Sequence, residues 1–212
     1  MTHTQRISCI LASTASLALS GCAPMMSAPP ATPFSAEHTR ESGLSVNVQT
    51  QLMDAQTRAD RAGGEQAFTN AQYWFRRHDT VFEGTESGVV ISAGMLSFLS
   101  GGGYIRHEIK GLPEGVYIGT QIEGGWIWAG GSLPVAVRVS DGVWLTTQPS
   151  IRYASFGLVH VPAGISVELG DHYRLDAEGG AHAMGWLPNQ TDNPMFHKRV
   201  YVYGGLGLSR NW

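Results

Sequence analysis

Residues 158–184 read LVHVPAGISVELGDHYRLDAEGGAHAM, and in this stretch side chains alternate in polarity through a turn and back again. Val159, Val161, Ala163, Ile165, Val167 and Leu169 fall on one face, opposite His160, Pro162, Gly164, Ser166 and Glu168. After Gly170-Asp171 the pattern resumes, with Tyr173, Leu175, Ala177, Gly179, Ala181 and Ala183 opposite His172, Arg174, Asp176, Glu178, Gly180 and His182. A period of two is the pattern of a half-buried β-strand, and a tight turn between two such runs makes a hairpin.

The same period extends on both sides. Residues 116–128 set Val116, Ile118, Thr120, Ile122, Gly124, Trp126 and Trp128 against Tyr117, Gly119, Gln121, Glu123, Gly125 and Ile127. Residues 200–212 set Val200, Val202, Gly204, Leu206, Leu208, Arg210 and Trp212 against Tyr201, Tyr203, Gly205, Gly207, Ser209 and Asn211. Weaker runs at 89–99, 104–109, 133–139 and 143–153 bring the expected count to eight strands within residues 88–212. Pro149 and Pro162 lack the N–H a ladder needs and belong at bulges or at positions with no partner.

Upstream the period changes. Residues 45–62 carry Val48, Leu52, Ala55, Ala59 and Ala62 at spacings of three and four before Gly63-Gly64. Residues 65–78 place Ala67, Ala71, Trp74, Phe75 and His78 on one stripe. This spacing predicts a short helical segment over 44–80. Residues 22–43, rich in Pro, Ala, Ser and Thr, read as a flexible linker.

Residues 1–21 combine a short polar start, an apolar stretch and Leu19-Ser20-Gly21 ahead of Cys22, which is the layout of a secretory signal peptide. Leu19-Ser20-Gly21-Cys22 resembles the bacterial lipobox. The resemblance implies a lipoprotein acylated on Cys22, and Ala23 in place of Asp implies sorting to the outer membrane, with the anchor on the periplasmic side. Cys9 lies in the segment to be removed and the second of the 2 cysteines carries lipid, so no thiol is left for a disulfide, a metal or a nucleophile.

Composition bounds the function. Of 212 residues 15% are charged, and 14 Lys and Arg against 17 Asp and Glu leave a formal charge of -3, too little positive field to hold a phosphate backbone. Nucleic acid is excluded as a partner. No cofactor motif occurs, and His107, His160, His172 and His182 lack metal-ligand spacing. No Gly-x-Ser-x-Gly element is present, and no catalytic residue is assigned; if catalysis existed, His160 or His182 with Ser166, Glu168 or Glu178 on the same hairpin face would carry it.

Alternation fits two architectures: a membrane barrel, apolar outside, and a tethered β-sandwich, apolar inside. Uninterrupted runs of about 12 residues exceed the usual 5 to 6 of soluble strands and match a tilted membrane strand. Glu123, Arg138, Arg152, Glu168, Arg174, Asp176 and Glu178 suit a lumen where opposite charges pair. Turns at 111–115, 140–142 and 170–171 belong on the periplasmic side with both termini. The terminal Trp212, with Leu206 and Leu208, is similar to the C-terminal signal read by the outer-membrane barrel insertion machinery, except at Arg210. The expected fold is therefore an antiparallel up-and-down β-barrel of about eight strands, with Tyr117, Trp126, Trp128, Tyr153, Tyr173, Trp186 and Trp212 at its interfaces. Its expected role is structural or in envelope assembly, among outer-membrane lipid and the insertion machinery. The sandwich would instead be a binding module for a glycan or protein partner, and the third alternative is a lipid-modifying outer-membrane enzyme.

Overall fold

The computed structural model describes residues 30–33, 38–52, 67–78, 82–94, 100–125, 128–153, 157–184 and 199–212. These form strands β1 (Arg40–Leu52), β2 (Ala67–His78), β3 (Thr85–Gly94), β4 (Ser100–Glu108), β5 (Val116–Gly125), β6 (Ala129–Ser132), β7 (Val135–Ser140), β8 (Val143–Thr147), β9 (Ser150–Tyr153), β10 (Gly157–Leu169), β11 (Tyr173–Met184) and β12 (Arg199–Asn211). Every pairing is antiparallel, and the sheet closes on itself because β12 pairs β1, from Glu41↔Asn211 to Leu52↔Val200.

Two positions of the ring are split strands. β5 pairs β6 over 121–124 and β7 over 116–118, while β10 pairs β9 over 157–160 and β8 over 164–167. The breaks fall at Leu133-Pro134 and Gln148-Pro149, where the missing N–H groups interrupt the ladder. Leu133 N–H donates to the Pro149 carbonyl (3.0 Å) and Gly119 N–H to the Pro134 carbonyl (2.8 Å), which keeps the two halves in line. Pro162 lies opposite the gap between β8 and β9, so on that side its absent N–H is not needed for the ladder. With β6 joined to β7 and β8 to β9, ten strand positions make the ring, in place of the expected eight.

The two extra positions are β1 and β2, which occupy most of the described part of the segment expected to be helical (44–80). Gly43, Ser45, Asn47 and Gln49 point inward, and Leu44, Val46 and Val48 are exposed on the outside. In β2 Asn70, Gln72, Trp74 and Arg76 point inward while Tyr73 is exposed. An isolated segment can satisfy a helical spacing, but pairing to β12 and β3 satisfies every backbone group of a closed sheet, and that tertiary gain overrides local propensity. Residues 53–66, with the rest of the expected first helix, lie outside the described residues. The barrel starts at Arg40, not at 88, and it takes in the last residues of the expected linker.

Polarity runs opposite to that of a soluble domain. On the outside Ile122 is 77% exposed, Ile151 64% and Leu206 61%, whereas Arg76, Arg106 and Gln72 inside are 0% exposed. Polar inside and apolar outside is the membrane-barrel arrangement. A sandwich with a dry apolar core is thereby overturned. The short turns at Gly84, Gly111 to Gly115, Asp141-Gly142 and Gly170 lie at the end where Thr39 and Arg40 meet Trp212. At Gly142 and Gly170 the backbone φ is 70° and 68°, a left-handed conformation that glycine adopts without a Cβ penalty.

Candidate functional site: the charged lumen

Inward positions on successive strands carry four arginines and four carboxylates in one connected chain. Its centre is Arg76 on β2, whose Nε donates to Glu41 Oε2 on β1 (2.7 Å) and whose Nη1 lies 3.3 Å from Glu86 Oε2 on β3. Glu86 Oε1 also meets Arg106 Nη1 on β4 (3.1 Å) and accepts from the Tyr104 hydroxyl (3.1 Å). In the other direction Glu41 accepts from Arg174 on β11, whose Nε lies 3.3 Å from Asp176, and Asp176 accepts from Ser166 on β10.

The chain continues across the barrel through amides. Arg106 donates to Gln121 Oε1 (2.9 Å) and Gln148 Oε1 (3.3 Å), Gln121 donates to Glu123 (3.1 Å), and Arg152 donates to Glu123 Oε1 (2.6 Å). Aromatic faces cover the cations, with Trp74 5.9 Å from Arg76, Tyr104 5.5 Å from Arg106 and Trp128 5.9 Å from Arg152. Charges this deeply buried persist only when each is paired and bonded, and here each guanidinium is.

Nearer the opposite end, His160 Nε2 lies 2.6 Å from the Tyr203 hydroxyl, which donates to Glu178 Oε1 (2.5 Å). Ser150 Oγ lies 3.5 Å from His160 Nδ1, at the outer limit of a hydrogen bond. His182 stacks on Tyr201 with centroids 5.0 Å apart, and its ring lies 6.4 Å from that of His160. His160 is 1% exposed, and its Nε2 is engaged by the Tyr203 hydroxyl.

A short peptide occupies the lumen beside the arginines. The Thr32 carbonyl accepts from Arg76 Nη1 (2.9 Å) and the Pro30 carbonyl from Arg106 Nη1 (3.1 Å), and Pro30, Ala31 and Thr32 are buried. A ten-stranded ring is wider than an eight-stranded one, whose interior side chains alone just fill. This peptide and the long Arg, Gln and Tyr side chains take up the difference.

Of the charged residues expected in the lumen, Glu123, Arg152, Arg174, Asp176 and Glu178 are there. Arg138 and Glu168 are not: Arg138 pairs with Glu114 outside (2.7 Å), and Glu168 accepts from Trp144 Nε1 on the exposed rim (3.2 Å). Both sit beside the short turns, where the barrel ends and an inward position opens to solvent. Glu41, Arg76, Glu86 and Arg106 also lie in the lumen without being among the expected lumen charges, although Asn70-x-Gln72-x-Trp74-x-Arg76 carries the inward alternation. Of the expected interface aromatics, Tyr153, Tyr173 and Trp212 are exposed, whereas Tyr117 and Trp128 are buried inside; Trp126 and Trp186 lie outside the described residues. Arg210 lies 4.4 Å from the centroid of the Trp212 ring, so the residue that departs from the terminal pattern stacks on the residue that defines it.

Among the described residues no group of three or more metal-ligating side chains is present. His107 contacts Thr85 (3.0 Å) and His172 packs on His38 (5.4 Å) at the turn end, apart from His160 and His182. Cys22, the expected lipidation site, lies outside the described residues.

No protein-family model matches the sequence, and no curated protein matches it. Among solved structures the chain is similar to Ail, the attachment invasion locus protein of Yersinia pestis, in two crystal structures. The complex with the heparin analogue sucrose octasulfate is 11% identical with a TM-score of 0.35, and the other is 8% identical with a TM-score of 0.37. Each match covers 82% of this chain and 99% of Ail.

Proposed function

We propose that this chain is a bacterial outer-membrane β-barrel lipoprotein with a structural or envelope-assembly role, anchored through Cys22 on the periplasmic side. The observation that carries the reading is the inverted polarity of the closed ring, with Ile122, Ile151 and Leu206 outside and the Arg76–Glu41 and Arg106–Glu86 pairs inside. A surface so apolar exposed to water would aggregate, whereas in hydrocarbon it is solvated and no strand edge is left open. The lumen supports a structural role, because its charges are spent on one another. The partners of such a protein are outer-membrane lipid and, through Trp212, the barrel insertion machinery.

One experiment tests both halves. Cells producing the wild type or Cys22→Ala are fed an alkyne fatty acid, and their membranes are run on gels with and without heating. Heat-dependent migration of both proteins, with fatty-acid label on the wild type alone, is the expected result. Label on Cys22→Ala refutes the anchor, and a soluble wild type without a heat-dependent shift refutes the membrane barrel.

A further inference from the structure

We propose that the lumen is a binding site for an extended peptide strand, and that Pro30, Ala31 and Thr32 of this chain hold that site in cis. Two guanidiniums from different strands each spend an N–H on a main-chain carbonyl of this segment, Arg76 on Thr32 (2.9 Å) and Arg106 on Pro30 (3.1 Å). Charge-assisted bonds of this kind are the stronger class, and they recognise a backbone without reading its side chains. Enclosure is complete, since Ala31 is 2% and Thr32 1% exposed.

A second, independent observation points to the same ligand chemistry. Gln72 lies on the inward row of Arg76, two inward positions along β2, and it is 0% exposed with neither amide atom bonded. Asn47 on β1 is 1% exposed and likewise bonds through neither amide atom. Ser45 pairs across to Gln72 and Asn47 to Asn70, so these side chains form one block on two adjacent strands. Buried amides without partners are rare, because each lost bond is uncompensated. Each offers one donor group and one acceptor with no charge, which is what a peptide unit offers in return. An anion would instead require cations that carboxylates have not already taken. The wall therefore extends a peptide site whose guanidinium end is already occupied.

The test uses the full chain carrying Cys9→Ser and Cys22→Ser, folded in detergent micelles, with heat-dependent migration checked for each variant. Ala31→Cys should react with a hydrophilic maleimide at least about tenfold more slowly than Asp141→Cys on an exposed turn, because labelling must wait for local opening. Ala31→Arg places a third cation beside Arg76 and Arg106, so it should expel the segment and bring Thr32→Cys, made in the same chain, to the fast rate. A fluorescent peptide Pro-Ala-Thr-Pro should then gain anisotropy with Ala31→Arg and not with the unsubstituted segment. Equal rates at Ala31→Cys and Asp141→Cys overturn the occupancy, and Thr32→Cys staying slow in the Ala31→Arg chain overturns the role of the guanidiniums. An expelled segment with no capture of the peptide overturns the peptide site.

Discussion

Arg76 and Arg138 both bond a glutamate at close range, the first inside the barrel and the second at its turn-bearing rim. Arg76 and Glu41 have side chains 0% exposed, while the Arg138 side chain is 38% and that of Glu114 91% exposed. Water screens the rim pair and leaves both ions solvated when it breaks, so its net worth is small. In the lumen nothing replaces a lost partner, and the damage comes from the charge left behind. The same bond is therefore optional in one region and required in the other.

The largest effect is expected for Arg76→Met, which among the described residues leaves buried Glu41 with Arg174 as its one cation and Glu86 with Arg106 as its one cation, and releases the Thr32 carbonyl. It should lower stability by about 3–5 kcal/mol, read as a drop in the urea midpoint of the folded gel band. The double variant Arg76→Met/Glu41→Leu should recover part of that loss; a double variant worse than the single one would break the comparison. Tyr203→Phe removes the hydroxyl that joins His160 to Glu178 and should cost about 1–3 kcal/mol on the same assay. Arg138→Gln should cost less than about 1 kcal/mol, and that difference should shrink further in high salt. A loss at Arg138 comparable to that at Arg76 would erase the distinction between lumen and rim.

How far the sequence led depended on what filled the inward positions. From residue 85 to the C-terminus, eight strand positions were legible, because inward Glu, Arg, His and Gly contrast with outward Val, Ile and Leu. In β1 and β2 the inward residues include Asn47, Gln49, Asn70 and Trp74, and Ala67, Ala71 and Phe75 lie on the outward row, so the contrast fades and a helical spacing fits as well. A helical spacing puts Glu41 and Arg76 on no common face, which hides the centre of the charged chain. Glu86 and Arg106 lie on strands that were recognised, but no local pattern tells that their side chains meet: the pairing is between strands, and only the closed ring brings them together. Residues 30–32 have the composition of a tether, and nothing in that composition says that arginines far along the chain will grip its carbonyls.

The pairing of β1 with β12 also sets an order of events in assembly. The ladder that shuts the ring joins residue 41 to residue 211, so closure must wait until the last strand has been delivered, and until then two unpaired edges face their surroundings. Non-local closure of this kind makes the final step slow and cooperative, and a chain stopped before β12 leaves both β1 and β11 open. Because residues 30–32 precede the strand that completes the seam, they are best enclosed while the seam is still open, not threaded through a finished cylinder. The first and last strands thus act as the hem of a sheet, sewn only after the contents are in place.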